Sequence, residues 1–266
     1  MHLERELAVA IASAQAAGRV AAAAQTTTAR RDKPDGSPVS DADIAAEAEI
    51  RKLLTTAFPA DAILGEETTD DRARLDNRRL WITDPIDGTR DFLAGQRDWA
   101  VQLALAIDGE LVLGVLDLPG HGACVAGVVG VGAFLCVGDR REPLTMASVQ
   151  RNRLICSRSE RNRAGVEAVL RALPEFSWLP TSSVGAKVWL MLRGEADLFV
   201  HPRPIAEWDV AAPAAVLIAA GGIATDLAGG ALRFNTTSGK CPGLAFSRRD
   251  DHQALVARLA SAGVQA

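Results

Sequence analysis

The sequence predicts an α/β (α+β) protein built from two halves that differ in the order of their helices and strands. Ala-rich segments with helical periodicity open the chain, and short apolar runs separated by turn residues follow them. After about residue 145 the order changes to strand, helix, strand. We therefore predict an N-terminal α+β half over 1–145 with a mostly antiparallel sheet, and a C-terminal α/β half over 146–266.

The N-terminal half begins with two predicted helices. Residues 3–24 form the first, and a polar loop over 28–39 leads to the second, from about 41 to 57. Six apolar runs are then predicted to be strands: AILG, RLWITD, WAVQLALA, GELVLGVLDL, HGACVAGVV and GAFLCVG. Asp108-Gly109 and the segment 130–132 stand at hairpin positions, which predicts antiparallel pairing of the strands that they join.

The C-terminal half is predicted to alternate strands and helices. The order is a strand at RLICS, a helix at RAGVEAVLRAL, a helix containing Lys187, a strand at ADLFV, a helix opening at Trp208-Asp209, and a closing strand and helix.

Composition excludes several classes of protein. With 266 residues, 48% of them hydrophobic, the chain is long enough to bury a sizeable core, and a net charge of −4 argues against a nucleic-acid partner. The four cysteines show no Cys-x-x-Cys spacing, which favours reduced thiols in the cytoplasm. The N-terminus has acidic residues where a signal peptide needs basic ones, and the apolar window Val210–Thr225 is short and broken by Pro213. We expect neither secretion nor membrane insertion.

The segment WITDPIDGTRDF at 81–92 suggests both a turn and a reactive site. As a turn it is readily explained, because proline fixes φ, Asp bonds its own backbone and Gly adopts positive φ. That interpretation accounts for Pro85, Asp87 and Gly88. It leaves Asp84 and Thr89 without a role.

Carboxylate residues that could form one site occur at four points of the sequence, and two of these points have ready structural explanations. The points are Asp43, the pair Glu66-Glu67, the pair Asp84 and Asp87, and Asp209. Asp43 lies three residues after Ser40 at a predicted helix start, as in a capping box, and Asp209 could serve the positive end of its own helix. For these two residues a purely structural role and a role in a shared carboxylate site both stay open.

The other two clusters point to a metal site. Glu66-Glu67 directly follow an apolar run, and Asp84 ends another, at the strand ends where α/β proteins bind ligands. If all the clusters converge, their mutual repulsion would raise some carboxyl pKa values unless cations neutralised them. Oxygen-only ligands suit Mg²⁺ or Mn²⁺, whereas four histidines without a His-Glu-x-x-His motif disfavour a zinc hydrolase.

Three ordered motifs resemble those of a known family. GEET at 65–68, DPIDGT at 84–89 and WDVAA at 208–212 are similar to the motifs of the metal-dependent, lithium-sensitive phosphatase superfamily of inositol monophosphatase. The loop Lys33–Asp43, the tripeptide 90–92 and the Ser-Arg-Ser at 157–159 resemble its CysQ branch, the 3′(2′),5′-bisphosphate nucleotidases. The resemblance implies a layered αβαβα sandwich and a homodimer.

The resemblance also implies a set of metal ligands. One Mg²⁺ would be held by Glu66, Asp84 and the carbonyl of Ile86, and a second by Asp84, Asp87 and Asp209. A third, weaker site near Glu66 and Asp43 is implied by analogy, and Mn²⁺ could substitute for Mg²⁺. On this assignment most metal ligands come from the N-terminal half, and the C-terminal half completes the site and the substrate pocket.

Catalytic and substrate-binding roles follow from the same resemblance. Thr89 would orient a metal-activated water for in-line attack, with Asp43 or Glu67 taking its proton, and the backbone amides of Gly88 and Thr89 would bind phosphate oxygens. The substrate's second phosphate is expected to be held by Arg158, Lys187 and Arg203, and Ser157 is expected to contact the substrate as well. The loop between Arg203 and Trp208 is about two residues shorter than in the CysQ pattern, so the roles of His201 and Glu207 stay open.

The function implied is hydrolysis of the 3′-phosphate of 3′-phosphoadenosine 5′-phosphate, and of the corresponding phosphosulfate, in sulfur assimilation. An inositol-1-phosphate or fructose-1,6-bisphosphate phosphatase would carry the same metal motifs and is the alternative. A non-catalytic regulator that binds a phosphorylated metabolite is a hypothesis of a different class.

Overall fold

The computed structural model describes residues 3–34, 36–157 and 164–264, and for residues 164 and 165 it describes the backbone alone. The helices of this part of the chain are α1 Glu4–Ala24, α2 Asp41–Ala57, α3 Thr89–Leu93, α4 Ala164–Ala172, α5 Val184–Leu192, α6 Glu207–Ala219 and α7 His252–Ser261. The strands are β1 Arg30–Asp32, β2 Pro38–Ser40, β3 Ala62–Gly65, β4 Arg79–Asp87, β5 Ala100–Ile107, β6 Glu110–Leu118, β7 Ala123–Val128, β8 Gly132–Val137, β9 Arg140–Leu144, β10 Arg153–Cys156, β11 Ser177–Pro180, β12 Leu198–His201, β13 Ile205–Ala206, β14 Ile223–Asp226, β15 Lys240–Cys241 and β16 Leu244–Ser247.

Two large sheets organise the fold. The first has seven strands in the order β3-β4-β5-β6-β7-β8-β9, and only its β3–β4 pair is parallel. At the predicted β5–β6 hairpin, Asp108 and Gly109 both adopt positive φ, as a type I′ turn requires. The second sheet has five strands in the order β11-β10-β12-β16-β14, of which β11, β10 and β12 run parallel. The prediction of a mostly antiparallel first sheet is confirmed.

The sheets and helices stack in five layers. Helices α1 and α2 pack on one face of the seven-stranded sheet, and α5 and α6 fill the space between the two sheets. Helices α4 and α7 cover the outer face of the five-stranded sheet. The expected α/β fold with αβαβα layers is confirmed. The division at residue 145 falls between the two sheets, but α6 packs on both of them, and two separate halves stay a prediction.

Helix α1 is long and apolar enough, with a mean hydropathy of 1.4, to meet the length and composition test for a membrane span. Its residues Leu7, Ala10, Ala14 and Ala17 form a stripe at helical spacing that is buried against α2 and the sheet. That is the arrangement of a core helix.

Several expectations about the elements are wrong in detail. Strand β4 does not end at Asp84 but continues to Asp87, and Pro213 lies inside α6 without ending it. Strand β9, strand β11 and the two short pairs β1–β2 and β13–β15 were not predicted, because their few residues lack a continuous apolar pattern. One closing strand was predicted, but β14 and β16 both precede α7 and pair with each other.

Candidate active site

A bulge in β4 places two aspartates beside each other. Asp84 pairs with Gln102 on β5, but Asp87 pairs with Ala100, so β4 contains one extra residue between the two pairs. In a regular strand, residues three apart point to opposite faces; the extra residue returns both carboxylates to one face. Gly88 follows at φ +94°, and α3 begins at the next residue. The predicted positive φ of Gly88 is therefore confirmed, although the chain bulges where a turn was expected.

Three carboxylates converge at this bulge. Oxygen atoms of Asp84, Asp87 and Asp209 all lie within 4.8 Å of one another. Burial raises the pKa of Asp84 well above its ordinary value, and the charges of Glu66 and Asp87 raise it further. The pKa of Asp209 is raised in the same way, by burial and then by the charge of Asp87. The cluster therefore concentrates negative charge where water cannot screen it.

The residues fit a hard divalent cation. Asp84 Oδ1 accepts the backbone N–H of Ile86 at 2.9 Å, whereas Asp84 Oδ2 is buried without a hydrogen-bond partner in the described part of the chain. A buried carboxylate oxygen left in this way is costly unless a cation binds it. All the converging donors are oxygens, the ligands that Mg²⁺ and Mn²⁺ prefer.

Asp87 is held by donors from two other elements. Its Oδ2 accepts the Ser183 hydroxyl at 2.6 Å, the backbone N–H of Gly185 at 2.9 Å and the side-chain amide of Gln102. Ser183 is the N-cap of α5, so the start of this helix is attached to the carboxylate. Burial raises the pKa of Asp87, and the hydrogen bonds from Ser183 and Gly185 oppose the rise.

Glu66 and Glu67 follow β3, as predicted for acids at a strand end. Lys33 Nζ, from the β1–β2 hairpin, lies 2.8 Å from a carboxylate oxygen of each. Burial raises the pKa of Glu66 despite Lys33, and it raises the pKa of Glu67 to about 7. Since Glu66 also raises the pKa of Asp84, its charge acts on the same cluster.

Asp43 combines the two roles that the sequence left open. Its Oδ2 accepts the backbone N–H and the hydroxyl of Ser40, which completes a capping box at the start of α2. The Thr89 hydroxyl lies 3.4 Å from the other oxygen, Asp43 Oδ1, and 3.1 Å from the carbonyl oxygen of Ile86. In the described part of the chain, no hydrogen bond joins Thr89 to Glu67.

Comparison with known proteins identifies the family. The family model of the inositol monophosphatase family matches residues 2–264. The chain belongs to the inositol monophosphatase family. Members of this family are phosphatases that depend on a metal, which agrees with the acidic cluster.

Individual relatives differ in the substrates for which they are named. The chain is 36% identical over 208 residues to a 3′-phosphoadenosine 5′-phosphate phosphatase of Mycobacterium leprae, covering 74% of this chain and 73% of the relative. It is 34% identical over 203 residues to a histidinol-phosphatase of Mycobacterium tuberculosis, covering 74% and 77%. The crystal structure of CysQ from Bacteroides thetaiotaomicron matches with a TM-score of 0.78 and 25% identity, over 94% of this chain and 99% of that one.

The residues predicted to bind substrate are only partly assembled in this inositol monophosphatase family member. Lys187 is buried on α5, and its Nζ donates to Ser182 O at 2.6 Å and to Ser157 Oγ at 3.1 Å. Its charge lowers the pKa values of Asp87 and Asp209, which locates it close to the acidic cluster. Arg203 is exposed in the loop between β12 and β13. Arg158 lies outside the described residues.

Sequence reasoning missed several residues that shape the site. Lys33 was quoted as part of a motif but was given no role. Gln102 is the one polar residue in the run WAVQLALA, and that break in an apolar strand was the signal for it. Glu207, whose role was open, is buried and accepts the backbone N–H groups of Asn235 and Thr236, so it anchors that loop.

Proposed function

We propose that this chain is a Mg²⁺-dependent phosphatase that removes the 3′-phosphate of 3′-phosphoadenosine 5′-phosphate, and of the corresponding phosphosulfate, in sulfur assimilation. The observation that carries the metal dependence is the convergence of Asp84, Asp87 and Asp209, with Asp84 Oδ2 buried and unpaired among the described residues. The relative of that name and the CysQ structure support the choice of a nucleotide.

The proposed metal ligands are those implied by the sequence motifs. Glu66, Asp84 and the Ile86 carbonyl would hold one Mg²⁺, and Asp84, Asp87 and Asp209 a second. A third would lie near Glu66 and Asp43, and we expect Mn²⁺ to substitute. When bound, such ions neutralise phosphate charge and lower the pKa of water. We also expect lithium to inhibit, by competing for the second site.

Thr89 and Asp43 are proposed to prepare the attacking water. The Thr89 hydroxyl can accept a hydrogen bond from that water while it donates to Asp43 Oδ1, 3.4 Å away. Because Ser40 occupies Asp43 Oδ2, Oδ1 is the oxygen left to take the proton. This geometry favours Asp43 over Glu67 as the base, since Lys33 is hydrogen-bonded to Glu67.

Substrate contacts are proposed on both sides of the cluster. The backbone amides of Gly88 and Thr89 would bind the reacting phosphate, and Lys187 with Ser157 would contribute to holding the remote phosphate by charge-assisted hydrogen bonds. Arg158 and Arg203 are proposed to assist. We further propose a cytoplasmic homodimer.

The test is phosphate release, with and without Mg²⁺, from four substrates compared at equal concentration. The substrates are 3′-phosphoadenosine 5′-phosphate, inositol-1-phosphate, fructose-1,6-bisphosphate and, because one relative is named for it, histidinol phosphate. We expect the highest kcat/KM for the nucleotide, and none without Mg²⁺. Preference for another ester would retain the metal site and reject the nucleotide, whereas no release from any would favour a phosphometabolite-binding regulator.

A further inference from the structure

Glu47 is a buried carboxylate that the proposed mechanism does not use. It lies on α2 one turn beyond Asp43, on the same buried face, and is only 2% exposed. A buried carboxylate needs hydrogen-bond donors to offset its desolvation. The donors come from the segment that contains the predicted metal ligand Glu66.

Both carboxylate oxygens of Glu47 bind the chain just after Glu66. Oε2 accepts the backbone N–H of Glu67 at 2.8 Å, and Oε1 accepts the hydroxyl of Thr68. Hydrogen bonds to an ionised acceptor are about twice as strong as neutral ones. Glu47 therefore fixes the backbone immediately after Glu66.

The residue before Glu66 is adapted to the same carboxylate. A Cβ atom on Gly65 would lie 2.6–2.8 Å from the carboxyl atoms of Glu47, closer than real Cβ contacts come. Glycine is thus the residue that lets Glu47 approach the backbone at this point. Glu47 consequently contacts the segment on both sides of Glu66.

Open space borders the segment next to Glu66. A cavity of about 340 Å³ is lined by Gly65, Thr68, Thr69, Asp70 and Arg74, among other residues. Side chains next to open space lose the contacts that would otherwise restrict their movement. The hydrogen bonds to Glu47 therefore directly restrain the backbone of Glu67 and the side chain of Thr68, while Lys33 holds the carboxylate of Glu67.

We infer that Glu47 is a positioning residue, which sets the affinity for divalent metal by holding Glu66 and Glu67 in place. The inference rests on the proposed function, in which Glu66 is a metal ligand. Removing partners that orient metal ligands typically costs about 10–100-fold in metal affinity or activity.

The test compares Glu47→Gln with wild type in Mn²⁺ titration calorimetry and in Mg²⁺-activation kinetics. The amide can accept only one of the two hydrogen bonds and presents an N–H group to the other donor. We expect Mn²⁺ affinity to fall about tenfold, with a matching rise in the Mg²⁺ concentration for half-activation. At saturating metal, the substrate KM should stay unchanged.

Glu49→Gln is the matched control, since Glu49 lies two residues along the same helix and pairs with Lys52 at the surface. Its Mn²⁺ affinity should equal that of wild type. Thr68→Val and Gly65→Ala disturb the same contact from the other side, and each should weaken Mn²⁺ binding in the same direction. These two variants decide the matter if Glu47→Gln does not fold.

The outcomes separate the inference from the proposed function. A folded Glu47→Gln variant that binds Mn²⁺ as tightly as wild type overturns the inference, as does a lower thermal midpoint with unchanged affinity. An equal loss of affinity in Glu49→Gln overturns it too. If wild type itself binds no Mn²⁺, the proposed function fails instead.

Discussion

At Asp84, the proposed role in metal binding and the stability of the fold make opposite demands on one residue. It is fully buried, and burial followed by the charges of Glu66, Asp87 and Asp209 raises its pKa. Without a cation, ionised Asp84 destabilises the folded chain, because the unfolded chain can hydrate the same charge. Such a residue is retained where the site needs its charge.

Replacing Asp84 by Asn should therefore separate activity from stability. We expect phosphatase activity to fall by more than about 100-fold, since the change removes a proposed ligand and not merely an outer-shell partner. In metal-free buffer, the free energy of unfolding should rise, because a buried charge has been removed. Urea denaturation in EDTA and phosphate-release assays would measure the two effects.

The surface substitution Asp250→Asn serves as the control for Asp84→Asn and should change neither quantity. Retained turnover in Asp84→Asn would contradict the metal assignment. Lower stability of this variant in EDTA would contradict the electrostatic argument.

Asp117 provides a pH-dependent effect away from the proposed site. It faces Gly18 of α1, and burial raises its pKa to about 7, although the charge of Arg19 opposes the rise. A carboxyl group with a raised folded-state pKa favours the folded state only while it is protonated. Its ionisation in the unfolded chain therefore erodes stability as pH rises from about 4 to about 7, and the loss is complete above that range.

We predict that Asp117→Asn is more stable than wild type at pH 8 and equally stable at pH 4. The gain at pH 8 is at most about 4 kcal/mol, the equivalent of the pKa difference. Urea denaturation at both pH values would measure this gain. Asp139→Asn, a substitution of an exposed residue, serves as the control. A variant less stable than wild type at pH 8 would refute the assignment.

Residues of the site differ in how far the sequence could predict them. The acids of the three motifs could be predicted because they occur within short, recognisable patterns. The contacts of Gln102 and Ser183 with Asp87 could not be predicted, since these residues lie 15 and 96 positions from Asp87 in the sequence. The sequence marked Gln102 only as a polar residue within an apolar strand. Arg203 was selected for its charge, and the structure leaves it exposed in a loop.

At the scale of elements, the bulge in β4 and the packing of α6 decide where the aspartates lie. The sequence Asp-Pro-Ile-Asp-Gly predicted a turn, because proline and glycine favour both turns and bulges. Pairing with β5 on both sides of the irregularity selects the bulge. Asp209 reaches the cluster from the first turn of α6, so the position of that helix matters as much as that of the strand.

Gly114 sets the position of α6 on the sheet. A Cβ atom there would lie 2.6 Å from the carbonyl oxygen of Ala212, one turn beyond Asp209. Since the clash involves backbone, we predict that Gly114→Ala shifts the helix, destabilises the chain by about 1–3 kcal/mol and weakens Mg²⁺ activation. Urea denaturation and Mg²⁺ titration of activity would test this.

Gly127→Ala is the matched comparison for Gly114→Ala. A Cβ atom on Gly127 would contact Val216 and Ala219, further along α6 and away from Asp209. It should cost similar stability with a smaller effect on Mg²⁺ activation. Equal effects of both variants on activation would show that the position of α6 next to Asp209 is not decisive.

At the scale of the whole molecule, the layers bring together residues from both parts of the chain. The N-terminal elements α2, β4 and α3 and the segment after β3 contribute the acids from Asp43 to Asp87 and Thr89. Helix α5 with its N-cap and helix α6 contribute Ser183, Lys187 and Asp209. The order of the main helices and of the strands β3 to β8 could be predicted from periodicity and turns, whereas several short strands could not. The stacking of five layers came from the family resemblance, because local patterns do not specify which faces meet.

The layers assemble around buried acids, and the metal binding proposed for these acids would make the stability of the whole molecule depend on metal. A cation that binds the folded chain and not the unfolded one stabilises it by about 2.7 kcal/mol at 100 times its Kd. For a chain of this size, that corresponds to a rise of roughly 5 °C or more in the thermal midpoint. We therefore predict that Mg²⁺ or Mn²⁺ raises the midpoint by this amount relative to EDTA, measured by calorimetry. Because Asp84 is shared by both proposed metal positions, Asp84→Asn should lose most of the rise. A rise of equal size in that variant would mean that the ion acts elsewhere on the molecule.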